Sequence, residues 1–278
     1  MIAARAVQRL PRSDGHHLVL TEGPGHARAL AAEAAAGGVD RVLVCGGDGT
    51  VREVAQGLAH TGSTLGLLPA GRGNDLAGAL GIPSDPRLAL DAFLRGRNAR
   101  IDLGLVNGEP FCTVTGVGFD AVVAASAGRG YVTRVAGRFG YPLAVLRELL
   151  RWNSPMVEVQ LDGTALVTGR YLLAAVSNTG RYGGGVRIAP GSRADDGLLD
   201  LCLARDMSRG RLLRLFPTAY RGGHVGFDEI SLHRGRTVRI EATPPVPVVA
   251  DGEPAGVTPV DLAVDPLALA VVLPPAGS

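Results

Sequence analysis

A chain of 278 residues, 46% of them hydrophobic, holds one large domain or two ordinary ones. Its net charge of only +2 argues against a nucleic-acid-binding surface as its main business. Every basic side chain is arginine, which excludes a lysine nucleophile or Schiff base and leaves any cationic phosphate contact to a guanidinium.

The first hundred residues alternate helix and strand signals. A helix is expected over Ala3 to Leu10, a strand over His17 to Leu20, and an Ala-rich helix from Gly25 to Ala36, stopped by Gly37-Gly38. Val42-Leu43-Val44-Cys45 is a continuous apolar run, as in a strand buried on both faces. Gly46-Gly47-Asp48-Gly49-Thr50 follows it and opens a helix at Val51. A second buried strand, Thr64 to Leu68, ends at Pro69 and leads through Gly71-Arg72-Gly73-Asn74-Asp75 into another helix. Asp85 to Leu94 is helical, with Pro86 in its first turn. Such alternation implies a parallel sheet with helices on its faces.

Beyond about residue 100 strands dominate. Met156 to Leu161, a turn at Asp162-Gly163 and a continuation through Val167 read as a hairpin. Further strands are expected at Arg170 to Ser177, Val186 to Ala189, Leu198 to Ala204, Thr237 to Ala242, Val246 to Ala250 and Leu267 to Leu273. Two helical segments, Tyr131 to Trp152 and Ser208 to Tyr220, interrupt them, and the whole suggests an antiparallel sandwich. Both segments mix Arg with aromatic or Leu side chains, which suits an anionic lipid interface and equally an ordinary amphipathic helix packed on a sheet.

The chemistry-bearing strings are rich in glycine and carboxylates. In Gly46 to Thr50 the glycines let backbone N–H groups approach a ligand, and the following helix N-terminus favours an anion. Asp48 in that setting makes sense if a divalent cation lies between it and phosphate oxygens; as a plain helix cap it would need no ligand. Asn74 and Asp75 repeat the choice between cap and ligand site. So does Asp120, in Gly116-Val117-Gly118-Phe119-Asp120. Asp195-Asp196-Gly197-Leu198-Leu199-Asp200 is an acidic turn, and Ala250-Asp251-Gly252-Glu253 is a hairpin tip with two carboxylates. Cys45, Cys112 and Cys202 lie in apolar runs without Cys-x-x-Cys or His-x-x-x-His spacing, as buried thiols do.

The Gly-Gly-Asp-Gly-Thr string resembles the nucleotide loop of the diacylglycerol kinase catalytic domain family, the bacterial lipid kinases related to sphingosine kinases. NAD kinases and phosphofructokinases share a similar string. Gly71, Asn74, Asp75 and Ala77 match that family's Gly-Thr-x-Asn-Asp-Phe-Ala, with Arg72 where Thr is usual, and this favours lipid kinases over NAD kinases.

The resemblance implies an α/β nucleotide-binding domain with a parallel sheet over 1–103. A C-terminal antiparallel β-sandwich domain, over 104–278, would take the acceptor. It implies ATP and Mg²⁺ as cofactors, with Thr21, Gly46, Gly47, Asp48, Gly49, Thr50, Glu53, Gly71, Arg72 and Asn74 around the nucleotide. It implies catalytic roles for Asp48, Asp75 and Asp120, and for Glu253 as general base. By position it also implies a structural Mg²⁺ held by Asp196 with carbonyls near Arg193 and Leu198. Family members begin with a strand and an Asn-Pro-x-Ser/Ala-Gly loop, whereas this sequence begins at what looks like the helix after it, so weakened ATP binding is expected.

The expected activity is phosphoryl transfer from ATP to a lipid hydroxyl, of diacylglycerol or a related lipid. The rivals are a non-catalytic lipid- or nucleotide-binding homologue and an NAD kinase-like enzyme acting on a small molecule. The start has no h-region of a signal peptide and no apolar run reaches transmembrane length, so a cytoplasmic protein that docks at the membrane periphery is expected, with a homodimer as an allowed assembly.

Overall fold

The structure is a computed structural model that describes residues 17–119, 121–123 and 152–275. The chain divides into two compact units: residues up to Asp102 with those from Pro266 onward, and Leu103 to Asp265.

In the first unit, β1 (Arg41–Gly46) and β2 (Thr64–Pro69) run parallel, in register from Arg41 opposite Thr64 to Gly46 opposite Pro69. Helix α1 (His26–Ala36) precedes β1, and α2 (Asp48–Leu58) connects the two strands. The helices pack closely because Gly57 has no side chain; a Cβ there would lie 2.5 Å from the Arg28 carbonyl oxygen. After β2 come the short α3 (Asp75–Ala79) and α4 (Pro86–Arg95). Asp85 caps α4 by accepting from the Arg87 and Leu88 amides, with Pro86 at the first helical position. Phe93 of α4 fills the space left by Gly66 in β2.

The second unit holds the end of β3 (Arg97–Val106), then β4 (Glu109–Phe111), β5 (Val114–Gly118), β6 (Met156–Leu161), β7 (Thr164–Ser177) and β8 (Leu199–Arg205). Helix α5 (Arg209–Ala219) and a 3₁₀ turn at Gly223–Gly226 follow. Then come β9 (Ile230–Gly235), β10 (Thr237–Thr243), β11 (Pro247–Ala250), β12 (Glu253–Val257) and the start of β13 (Val260–Leu273). Neighbouring strands here are antiparallel: β10 lies between β6 and β13, and β5 lies between β7 and β11. The core contains Phe111, Leu199, Leu201, Leu203, Ile240 and Val260, all with essentially no exposure. Phe111 turns its ring into the hollow at Gly104, its register partner on β3. The sequence reading gave the whole C-terminal segment to the second domain, but β13 ends in the first unit, where Val271 pairs with Leu65 of β2.

Several expected elements differ. His17 to Leu20 is irregular, and Leu18, Val19 and Leu20 are 65%, 58% and 77% exposed. β propensity describes how a residue fits a half-buried sheet surface, and no described strand adjoins these residues. In Val186 to Ala189 the apolar Val186, Ile188 and Ala189 are buried, but the segment forms only an isolated bridge from Val186 to Tyr182. β7 is one fourteen-residue strand where two were expected; Gly169 sits inside it, paired with Val157. The helix expected at Ala3 to Leu10, most of that expected at Tyr131 to Trp152, and Asp120 lie outside the described residues.

Candidate active site

β1 and β2 are adjacent and parallel, so the loops that follow them emerge side by side at their C-terminal ends, the usual ligand-facing edge of an open α/β sheet. Glycine brings the two loops together. A Cβ on Gly71 would lie 2.5 Å from the Gly47 Cα and 3.0 Å from Asn74 Oδ1, so neither loop tolerates a side chain at the crossing. The Ala70 amide donates to the Gly46 carbonyl at 3.0 Å, continuing the sheet pairing into the loops. Asn74 is left-handed (φ 52°); its Oδ1 accepts from the Gly71 amide at 2.8 Å and its Nδ2 donates to the Gly71 carbonyl at 3.0 Å. Its side chain thereby clamps the turn in the way Asx residues favour.

Asp48 joins the loops electrostatically. It is the first residue of α2, yet its carboxylate reaches across to α3: Oδ2 accepts from the Asn74 amide at 2.9 Å and Oδ1 from the Asp75 amide at 2.7 Å. The helix-cap alternative for Asp48 is thus met in part, but at the start of α3 rather than of its own helix. The α2 N-terminus itself has no side-chain cap. A Cβ on Gly73 would lie 2.6 Å from Asp48 Oδ2 and 3.2 Å from Asp75 Oδ2, so both carboxylates face one backbone-lined hollow. Arg72 is exposed and makes no hydrogen bond or ion pair among the described residues. The assembly offers amides and a free guanidinium to an anion, and two carboxylates to a cation bound with it.

Glu53 lies elsewhere on α2. Its two oxygens accept from the Gly25 amide at 2.8 Å and the Ala27 amide at 3.1 Å, so it caps α1 across a wide sequence gap. Thr21 is exposed in the irregular segment before α1.

In the second unit, Asp251 and Gly252 form a two-residue hairpin turn with φ of 50° and 83°, the positive-φ pair expected of Asp-Gly. Asp251 does more than turn the chain. Its Oδ2 accepts from the Cys112 amide at 2.7 Å, and its Oδ1 accepts from the Thr113 amide at 2.7 Å and the Thr113 hydroxyl at 2.6 Å. Nothing local to the Asp-Gly string signals those partners, which lie well over a hundred residues earlier. Glu253, by contrast, is exposed, and its side chain makes no hydrogen bond or ion pair among the described residues. Asp251→Asn should therefore destabilise by about 1–3 kcal/mol, because an amide leaves one of these donors facing an NH₂ group. A thermal melt checks this: a fall of several degrees is expected, and an unchanged melt contradicts the assignment.

Comparison with known proteins decides the family. Residues 2–106 match the diacylglycerol kinase catalytic domain family, and residues 113–273 match the YegS C-terminal NAD kinase beta sandwich-like domain. A diacylglycerol kinase of Mycobacterium tuberculosis is 40% identical over 279 residues, covering 98% of this chain and 89% of that one. This chain belongs to the diacylglycerol kinase family. The fold agrees: a diacylglycerol kinase crystal structure from Bacillus anthracis superposes with TM-score 0.73 at 23% identity, over 94% of this chain and 86% of that one. An NAD kinase from Archaeoglobus fulgidus, in complex with ATP, superposes with TM-score 0.53 at 14% identity, over 97% and 87%.

One feature implied by the diacylglycerol kinase family resemblance does not fit. The implied Mg²⁺ ligands were the Asp196 carboxylate and carbonyls near Arg193 and Leu198. Here Asp196 Oδ1 accepts from the Leu198 amide at 3.1 Å, and Oδ2 is held by Arg234 Nη2. The Arg193 guanidinium pairs with Asp195 at 3.0 Å. The Arg234 guanidinium thus sets a fixed positive charge against the oxygen that the metal would need.

Proposed function

We propose that this chain transfers the γ-phosphate of ATP to the hydroxyl of a lipid, diacylglycerol or a related one. The observation that supports this most is the crossing of the two glycine loops, with Asp48 spanning them and Asp75 beside it. Nucleotide phosphates would lie against the amides of Gly46, Gly47, Gly49 and Thr50 and near the Arg72 guanidinium, with Gly71 and Asn74 shaping the second wall. The hollow at Gly73, faced by two carboxylates and free of any Cβ, fits Mg²⁺, which uses one or two carboxylates plus substrate phosphates. Mg²⁺ would offset charge on the transferred phosphoryl group. Glu253 would accept the proton of the attacking hydroxyl, and Asp120 would add a third carboxylate. A coupled assay of ADP formation tests the reading: turnover should rise many-fold when diacylglycerol micelles are added, and a rate indifferent to lipid contradicts it.

The lipid would be met at a membrane surface, and α5 supports that. Leu213, Tyr220 and Val225 are 51%, 41% and 41% exposed, beside exposed Arg209, Arg214 and Arg221. The first turn of α5 carries Arg209 and Arg211 and no acid, against the helix dipole; Arg211 is paired with Glu229. Among the described residues no helix is long and apolar enough to cross a membrane. The protein should co-sediment with phosphatidylglycerol-containing vesicles, and replacing Arg214 and Arg221 by Glu should weaken this on the order of tenfold. Undiminished sedimentation of that variant contradicts α5 as the docking face.

A further inference from the structure

We propose that Arg234 takes the place of a divalent cation in the acidic turn at 195–200, so that this part of the chain folds without metal. The sheet register sets it up: Asp200 on β8 lies directly opposite Arg234 on β9, an opposite-charge cross-strand pair. Arg234 Nε donates to Asp200 Oδ1 at 2.9 Å, and its Nη2 donates to Asp196 Oδ2. The fork of one guanidinium thus ties the start of the turn to the strand that leaves it, as a shared ion would. These partners raise the pKa of Arg234 further, the Asp196 hydrogen bond most of all, so the cation is permanent. Asp196 is only 21% exposed and Asp200 10% at the side chain, so the pairs are partly shielded from water and salt. Asp195, half exposed, is matched by Arg193. The remaining oxygen, Asp200 Oδ2, is buried without a hydrogen-bond partner among the described residues, but it lies outside the implied ligand set and beside the same guanidinium. A divalent ion bound to Asp196 would have to displace Arg234 or sit against its positive charge.

The test is the melting temperature of the full chain and its variants after EDTA treatment and after resupply of Mg²⁺ or Ca²⁺. An ion bound only by the folded state raises the melting temperature, so a site at Asp196 shows up as ion dependence that Asp196→Asn removes. The expected result is that wild type and Asp196→Asn respond to EDTA alike, within about 1 °C. Arg234→Gln should melt lower and gain stability on adding Mg²⁺ or Ca²⁺, because the vacated carboxylates then need a cation. Arg234→Lys keeps the charge and should remain insensitive to these ions, which keeps the comparison open if Arg234→Gln does not fold. Greater EDTA sensitivity in wild type than in Asp196→Asn overturns the proposal. So does a wild-type-like, ion-indifferent melt for Arg234→Gln. None of these readouts depends on kinase activity.

Discussion

Glu253→Gln is expected to lower kcat by ~10²–10⁴-fold while ATP affinity stays near the wild-type value. Gln keeps the shape and hydrogen-bonding reach of Glu but cannot take a proton from the attacking hydroxyl. The structure makes this a clean experiment. The Glu253 side chain is exposed and unpartnered among the described residues, so the substitution should leave stability within about 0.5 kcal/mol. A loss of activity with an unchanged melt then reads on chemistry. Asp251→Asn is the contrasting case. Its carboxylate holds the 112–113 backbone, and its replacement should lower stability before it lowers the chemical rate. If Glu253→Gln keeps full kcat while Asp251→Asn, still folded, loses it, the base is Asp251.

Asp48→Asn should cost on the order of 10²–10³-fold in turnover, at saturating Mg²⁺, in a protein that still folds. Two effects combine. The negative charge that would help to hold Mg²⁺ is lost. The carboxamide also keeps only one acceptor for two backbone donors, the Asn74 and Asp75 amides. The second effect should lower stability by about 1–3 kcal/mol, visible as a lower melting temperature with an unchanged circular dichroism spectrum. Near-normal turnover in this variant at every Mg²⁺ concentration removes Asp48 from the mechanism. A loss seen only at low Mg²⁺ and absent at saturation assigns the defect to metal affinity rather than to loop geometry.

What the sequence revealed and what it hid follow from the range of the interactions. The strings at Gly46 to Thr50 and Gly71 to Asp75 were legible because strand, glycine turn and helix start are local patterns, and the structure sets them side by side on adjacent parallel strands. The contact between Gly47 and Gly71, and the reach of Asp48 to the α3 amides, depend on strand order, which no local pattern encodes. The family resemblance implies Glu53 as a nucleotide contact; its oxygens cap α1, which only the packing of α1 on α2 discloses. Arg234 was passed over because its partners are set by the register of β8 against β9. His17 to Leu20 and Val186 to Ala189 show the converse: a short run with apolar residues is a strand only where a neighbour supplies the ladder.

The most direct test of the account follows label from γ-³²P-ATP, with Mg²⁺, into separate acceptors: diacylglycerol in mixed micelles, phosphatidylglycerol, a sphingoid base and NAD. The account predicts organic-extractable label on a lipid alcohol, formed one-for-one with ADP, and none on NAD. Label on NAD with no lipid product, or no transfer to any acceptor by a folded protein, contradicts it.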